Sequence, residues 1–497
     1  MITHYVKASP TTSMVDDSDN FMTQLLWGDP VHLEADWDSD STWANVRVRG
    51  SIGWVRKNAL RKATSSFKGL LEFYIIDVGQ GDGVLVHTPD DKWHLIDAGV
   101  PNEKQMTKKG AANFLRWKFY EDLRMGKIEL ENLIMSHPDM DHYGGMLDLL
   151  GERLYDGRQF KVSVNNFYHG GMGRFYGTNP LGKTKSGTVA PLPNAAFGIS
   201  RNDKFIVELL DDIDSFRTPA RTFTTKFAEL AALVADKCNS AARISQQDKF
   251  LPGYDDTQKV AIHLLGPIIE QFGTNIGLRK LGRGDRWESK TRNGHSVVLR
   301  FDYGDARILM TGDLNDESQR LLLSYFDKSE FAVDVAKGCH HGSDDVNMEF
   351  LKAMQPRATA LSSGDNESYA HPRPAILGAS AKYGRESEST RGKVLPPLVY
   401  STELARSVAL AYPSTVKLDP DFSGPQDERW YSAKTTLIKS KNTRYRPLKT
   451  TPIAIDLIYG LVNVRTDGKK ILCATMKESG NSFDCRMFKA GVEVPTT

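Results

Sequence analysis

Between Ile134 and His142 the chain reads IMSHPDMDH, which crowds His137, Asp139, Asp141 and His142 into six positions directly behind an apolar run. Imidazoles and carboxylates are donor groups for a divalent cation, provided that a loop holds them stiffly enough to keep a geometry. His137 and Asp139, at i and i+2, can point the same way from an extended segment, while Asp141 and His142 can turn towards a second ion. That is half of a binuclear site. The plain alternative is a polar turn, where His, Asp and Pro collect for backbone reasons alone. Further donors recur along the chain. Asp313 in MTGDL is a lone carboxylate between Gly312 and Leu314, suited to bridging two ions, and His371 in YAHPRP and the pair His340 and His341 in GCHHGSDD add imidazoles.

Donors so far apart in sequence meet only if the elements carrying them end at one place. LLEFYIIDVGQGDGVLVHT and KWHLIDAG read as buried strands joined by a Gly-rich turn, AANFLRWKFYEDLRMG has helical spacing, and LENLIMS is a strand running into the opening motif. YGGMLDLLGERL then begins a helix. SVVLRFDYGDARILMTGDL reads as a hairpin, and FAVDVAKGCHHGSDD and ATALSSGDNESYAHPRP are strands that each end in a polar cluster. A polar cluster after each of several strands implies one shared edge that carries the chemistry.

The remaining segments set the domain plan. Phe21 to Lys62 alternates short apolar and polar runs with Gly and Asp turns, which is hairpin chemistry, and KATSSFKG follows as a linker. Residues 1–66 are therefore predicted as a small all-β domain and 67–497 as the domain with the donors. About 151–290 is expected to be an insertion over the site, because it mixes the Gly-rich HGGMGRFYGTNPLGKTKSG with one helical segment, TPARTFTTKFAELAALVADKC. The run TPIAIDLIYGLVNVRTDGKKILCATM is expected to complete a second sheet.

At 497 residues the chain exceeds a single ordinary core. A 40% apolar and 25% charged composition with a net charge of +2 is that of a globular protein whose bulk charge announces no nucleic-acid binder. The first twenty residues lack the apolar stretch of a signal peptide, and no run approaches the roughly 20 apolar residues of a membrane span, so a cytoplasmic protein without a membrane partner is expected. Cys238, Cys339, Cys473 and Cys485 are spread without a CxxC pair, which suggests neither a disulfide framework nor a thiolate zinc finger.

Taken in order, DVGQGDGVLV, LIDAG, SHPDMDHYGGM, MTGDL, KGCHHGS and YAHP resemble the metallo-beta-lactamase fold, and within it the ComEC-type branch of DNA-uptake proteins and related phosphodiesterases. WGDPV, TWANVRV and GSIGWVRKNAL resemble a bacterial Src-homology-type small barrel, with Trp43 and Trp54 as core or groove aromatics. The resemblance implies an α+β chain: an αββα metallo-beta-lactamase sandwich preceded by a small all-β barrel. It implies that His137, Asp139 and His371 hold one ion, that Asp141 and His142 hold the other, and that Asp313 bridges them. Asp141, His340 and His341 would be catalytic, one histidine giving a proton to the leaving group. Asp77 and Asp82 would orient the ligand loop, and Ser343 would reach a phosphate oxygen. Two departures stand out. The family has His where this chain has Asp139, and a carboxylate there hardens the site, favouring Mn or Mg over Zn. The family's histidine before the hairpin is replaced by TRNGHSVV, so that Asn293 or His295 fills or borders its place. Two divalent ions about 3.5 to 4 Å apart would activate a water and neutralise a leaving group, with no Ser or Cys nucleophile.

For substrate, GLRKLGRGDRWESKTRNGH places Arg279, Lys280, Arg283, Arg286, Lys290 and Arg292 just before a site-forming strand, and Trp287 among them can stack on a base. The alternative is a solvated loop, since Asp285 and Glu288 offset part of the charge. The expected function is a metal-dependent phosphodiesterase acting on DNA, in defence against foreign DNA, with a companion protein docked through the N-terminal barrel. The rivals are a phosphodiesterase or esterase for small molecules and a non-catalytic scaffolding subunit. His87, His94 and His263 read as structural, and His169 as either loop filler or a substrate contact.

Overall fold

The computed structural model describes residues 2–37, 40–65, 67, 69–105, 107–364, 371–402, 460–476 and 481–492. Strand alternation builds its centre. Phe73 faces inward towards a second sheet while its neighbour Tyr74 faces outward onto helices, and in that second sheet Leu299 faces inward and Val298 outward.

Among the described residues the first sheet has nine strands, in the order Cys238–Arg243, Val162–His169, Ile128–Met135, Lys92–Ile96, Val84–Thr88, Leu71–Ile75, Val462–Thr466, Lys470–Met476, Phe483–Lys489. The second has six described strands: Ala261–Gly266, Val298–Tyr303, Ala306–Met310, Val335–Lys337, Ala358–Leu361, Leu398–Ser401. Phe73, Ile75 and Val86 of the first sheet share one apolar cluster with Ile262, Phe301 and Ile308 of the second. On the outer face of the first sheet lie the helices Ala111–Arg116, Met140–Leu150 and Thr225–Lys237, and on that of the second Asp316–Tyr325, Met348–Met354 and Pro374–Tyr383. The layers are therefore αββα, as expected.

Both sheets contain parallel runs. Lys92–Ile96, Ile128–Met135, Val162–His169 and Cys238–Arg243 run parallel, as do Ala306–Met310, Val335–Lys337, Ala358–Leu361 and Leu398–Ser401. The loops after parallel strands all leave at the same edge, where open α/β sheets bind ligands.

Two expectations about organisation need correction. The span 151–290 is not an insertion throughout, because Val162–His169 and Cys238–Arg243 are strands of the first sheet and Ala261–Gly266 is a strand of the second. What stands apart is a four-stranded antiparallel sheet of Thr184–Thr188, Asn202–Ile206, Asn275–Arg279 and Ile269–Phe272. The late strands do not complete the second sheet. Val462–Thr466 pairs antiparallel with Leu71–Ile75 and extends the first; the start of that predicted run, 451–459, lies outside the described residues.

The N-terminal module is a seven-stranded antiparallel sheet with its own small core of Val6, Met14, Leu25, Val31, Val46, Val48 and Val55. Among the described residues no helix is long and apolar enough to cross a membrane.

Candidate metal centre

The Ile128–Met135 strand delivers Ser136, whose backbone N–H donates to Asp97 Oδ1 at 2.7 Å. Asp97 follows the parallel Lys92–Ile96 strand and sits at φ 56°. Its other oxygen accepts from His142 Nδ1 at 2.8 Å, in the first turn of Met140–Leu150. That bond fixes the tautomer and leaves His142 Nε2 as a bare lone pair. His137 also makes its hydrogen bonds through Nδ1. Its Nδ1 meets two hydroxyls, Ser136 Oγ at 3.0 Å and Ser296 Oγ at 3.3 Å; Ser296 Oγ spends its proton on the Asn293 carbonyl at 2.8 Å and accepts from Asp313 N at 3.0 Å, so Ser296 can only accept from His137. His341 Nδ1 donates to the Ser362 carbonyl at 3.0 Å, with Asp82 Oδ1 at 3.1 Å beside it.

Three buried histidines thus present Nε2, and among the described residues all three of those atoms, with Asp313 Oδ1, lack a hydrogen-bond partner. Asp313 Oδ2 lies 3.3 Å from His142 Nε2 and 3.0 Å from His341 Nε2, an arrangement of acceptors facing acceptors that requires a proton or a cation between them. Donor atoms of His137, His142 and Asp313 lie within 4.8 Å of one another, as do those of Asp141, His142 and His341, and those of Asp82, Asp313 and His341. This donor set fits divalent metal: several imidazoles with the correct nitrogen bare, and carboxylates between them.

The local field says the same. Burial opposes charge on His142 and His341, yet Asp313, with Asp97 beside one and Asp82 beside the other, holds both imidazoles well above their ordinary range. Burial likewise opposes ionisation of Asp313 and Asp82, but His341 and His142 hold Asp313 well below its ordinary value and Lys337 and His341 hold Asp82 down at about 2. His137 is pushed down to about 4 by burial and by His142. The carboxylates thus demand positive charge, and protons or a bound cation satisfy them.

Backbone geometry makes the cluster possible. His340 and His341 both take left-handed φ values, 46° and 54°, followed by Gly342 at 87°, a costly turn that brings two consecutive rings to the site. Gly81 is at φ 106°, and a Cβ there would lie 1.6 Å from the Asp141 carbonyl oxygen, so only glycine lets this loop touch the first turn of the ligand helix.

The structure groups some expected residues differently. Asp139 Oδ1 is taken by Arg174 Nη1 at 2.7 Å and Arg292 Nε at 2.5 Å, and its Oδ2 stands 3.8 Å from His137 Nε2. Neither Asp139 nor His371 falls within the close donor groups; the His371 ring lies 5.9 Å from that of His340 and 6.4 Å from that of His341. His341, expected to face substrate, is fully buried among the metal donors, whereas His340 keeps a quarter of its side chain exposed. Asn293, with its amide oriented to satisfy its neighbours, donates to Asp139 Oδ2 at 3.0 Å and accepts from His340 Nε2 at 3.2 Å. His295 is buried away from the cluster and donates from Nε2 to the Arg279 carbonyl at 2.7 Å. Asp77 Oδ1 accepts from Gly79 N at 3.2 Å in the loop leading to Asp82, and Ser343 Oγ accepts from Asp345 N at 3.3 Å within its own turn.

Arg279 is corrected outright. It is buried, bonded through two nitrogens to Glu270 at 2.7 and 2.5 Å, and holds the four-stranded sheet together rather than facing a ligand. The basic run beyond it is ordered: Gly284–Arg286 is a helical turn that continues into the helix Trp287–Gly294. Lys280 lies 4.0 Å over the Trp287 ring, Lys290 pairs with Glu317 and Asp345, and Arg283 and Arg286 are exposed.

Two residues of the centre were missed. Asp97 had a signal, the LIDAG motif at a strand end. Lys337 had none, since a lysine in AKGCHHGS reads as surface; here it is 1% exposed, contacts Asp82, and donates to the Gly312 carbonyl at 3.0 Å.

No protein-family model matches the chain. Its sequence is 33% identical over 88 residues to ComE operon protein 3 of Bacillus subtilis (strain 168), 18% of this chain and 11% of that protein. It is also 33% identical over 93 residues to Competence protein ComA of Neisseria gonorrhoeae, again 18% of this chain, and 13% of that one. The chain therefore matches only a small part of either relative's length. Among solved structures it is similar to Tm1679, a metal-dependent hydrolase of the beta-lactamase superfamily, with 13% identity, 65% of this chain and 98% of that chain covered, and a TM-score of 0.31. The chain's own αββα layers, and the edge at which the donors leave them, define its fold. This is the metallo-beta-lactamase fold.

Proposed function

We propose that the chain is a metal-dependent phosphodiesterase that cleaves DNA. The observation that carries the hydrolase reading is the convergence of three imidazoles with bare Nε2 atoms on Asp313, at the edge where the parallel strands end. DNA as substrate is supported by two features: the short likeness to proteins named for competence, and the exposed Arg283 and Arg286 beside the Lys280 and Trp287 stack, on the segment that leads to Arg292 and Asn293.

His137, His142, Asp141, Asp313 and His341 would hold the metal, which when bound supplies an activated water and charge neutralisation at a phosphoryl oxygen. The protein's own groups do the rest. Asp97 and the Ser362 carbonyl keep His142 and His341 in their ligating tautomers. Lys337 neutralises Asp82 within the dry interior, so that Asp82 can stay ionised beside His341 Nδ1. His340 donates from Nε2 to the Asn293 side-chain oxygen, which leaves Nδ1 a partnerless lone pair beside the metal donors; the ring is placed to take up a proton at Nδ1, and only after doing so could it pass one to a leaving alkoxide.

The test is cleavage of supercoiled plasmid and linear single-stranded DNA by metal-stripped protein resupplied with Mn, Mg or Zn, beside Asp141→Ala. Metal-dependent cutting that disappears in Asp141→Ala is the expected result. Tight metal retention without cutting of either DNA would overturn the DNA assignment.

A further inference from the structure

We propose that Arg174 and Arg292 form a two-guanidinium clamp for a substrate phosphate beside the metal donors, with Asp139 as the counter-ion that holds the clamp open; the inference rests on the phosphodiesterase reading above. The two arginines come from distant places, the loop after Val162–His169 and the helix Trp287–Gly294, yet both donate to the same oxygen, Asp139 Oδ1, at 2.7 and 2.5 Å. Arg174 Nη1 also donates to the Pro138 carbonyl at 3.2 Å.

One guanidinium suffices to neutralise one carboxylate. A second on the same oxygen brings two like charges together in a half-buried place, where the side chains are only 29% and 15% exposed. Burial and the charge of Arg292 hold the Arg174 guanidinium below its ordinary range, and only Asp139 and, more weakly, Tyr143 and Glu288 oppose them. A guanidinium carries five N–H donors in a planar fork suited to the paired oxygens of a phosphate. Arg292 spends only Nε and Arg174 only Nη1, so Nη1 and Nη2 of Arg292 and Nε and Nη2 of Arg174 make no hydrogen bond to the described residues. The carboxylate that both arginines hold lies beside the centre: Asp139 Oδ2 is 3.8 Å from His137 Nε2 and accepts from Asn293, which also bonds His340. A carboxylate where an imidazole would serve as a metal donor thus does a different task here, fixing two cations in place for a ligand that brings its own negative charge.

The experiment titrates metal-loaded protein with inorganic phosphate, followed by phosphorus NMR, and measures KM and kcat on linear single-stranded DNA for wild type, Arg174→Gln, Arg292→Gln and Asp139→Asn. Metal content and melting temperature are checked for each. Each glutamine variant is expected to weaken phosphate by about tenfold or more and to raise KM more than it lowers kcat, with metal retained. Lysine at either position recovers part of the loss. Asp139→Asn releases the fork and tightens phosphate. Phosphate affinity within about twofold of wild type in both folded glutamine variants overturns the clamp, whether or not DNA is cut. If those variants do not fold, unchanged phosphate affinity in Asp139→Asn overturns it. Arginine-dependent phosphate binding in a protein that cuts no DNA keeps the clamp and removes DNA as its substrate.

Discussion

Asp97 touches no substrate in this arrangement, yet it fixes two groups on which the centre depends, the Ser136 N–H and the His142 Nδ1–H. Asp97→Asn keeps the shape but replaces one accepting oxygen by a donor, so either the loop bond or the histidine bond is lost and His142 can take the wrong tautomer. Metal affinity is expected to fall about 10- to 100-fold, read as metal retained after dialysis against graded chelator. Retention equal to wild type would show that His142 orients itself. At this scale sequence gives donor types but not partners. His137, Asp141, His142 and Asp313 are visible as imidazoles and carboxylates at strand ends. That Asp139 meets guanidinium groups 35 and 153 positions away, or that Lys337 is buried against Asp82, depends on packing that no local pattern records.

At the level of elements, Leu71–Ile75 and Val84–Thr88 are legible because they are buried on both faces and mostly apolar, and Ile128–Met135 because it ends in the buried apolar run LIM that leads into the donor loop. Val162–His169 and Cys238–Arg243 are not, because VSVNNFYH and CNSAAR are broken by polar residues. The structure shows why those residues are tolerated. Ser240 Oγ donates to Asn166 Oδ1 at 2.8 Å, Asn166 Nδ2 to Asn132 Oδ1 at 3.0 Å, and Asn132 Nδ2 to His94 Nδ1 at 2.9 Å, a polar row that crosses four parallel strands. The row ends at Tyr254, 3.1 Å from His94 Nε2. It works only with a neutral imidazole, and burial pushes His94 down to about 4. Its folded value lies below that of the unfolded chain, near 6.5, so the unfolded state binds the proton more readily. Stability is complete above about pH 6.5 and declines as pH falls towards 4, by about 3 kcal/mol from this residue. Buried His169 and His295, pushed down to about 3 and about 4, act in the same direction. Denaturant melts between pH 7 and 4.5 should show this slope, and His94→Gln should flatten part of it. An unchanged slope would place the acid sensitivity elsewhere.

For the whole molecule, the first sixty residues read as a separate module on a linker, yet the structure ties them into the sandwich. Asp29 of the N-terminal sheet is 1% exposed and sits between Arg49 Nη2 at 2.7 Å and Arg465 Nη1 at 2.8 Å, the latter on Val462–Thr466 of the nine-stranded sheet. Arg465 also donates to the Trp27 carbonyl at 2.9 Å, and Leu26 and Trp27 share an apolar cluster with Leu472, Phe483 and Met487. A tethered module would need none of this, because surface ion pairs contribute little and a buried one is costly unless fully satisfied. The seam is therefore expected to make the two parts unfold together. Asp29→Ala leaves Arg465 buried without its carboxylate and is expected to cost about 3–5 kcal/mol. Calorimetry should then show one transition at a lower temperature. Two separated transitions, with the later one unmoved from wild type, would mean that the N-terminal sheet is an independent domain and that its contacts with the sandwich add nothing to the stability of the metal-binding fold.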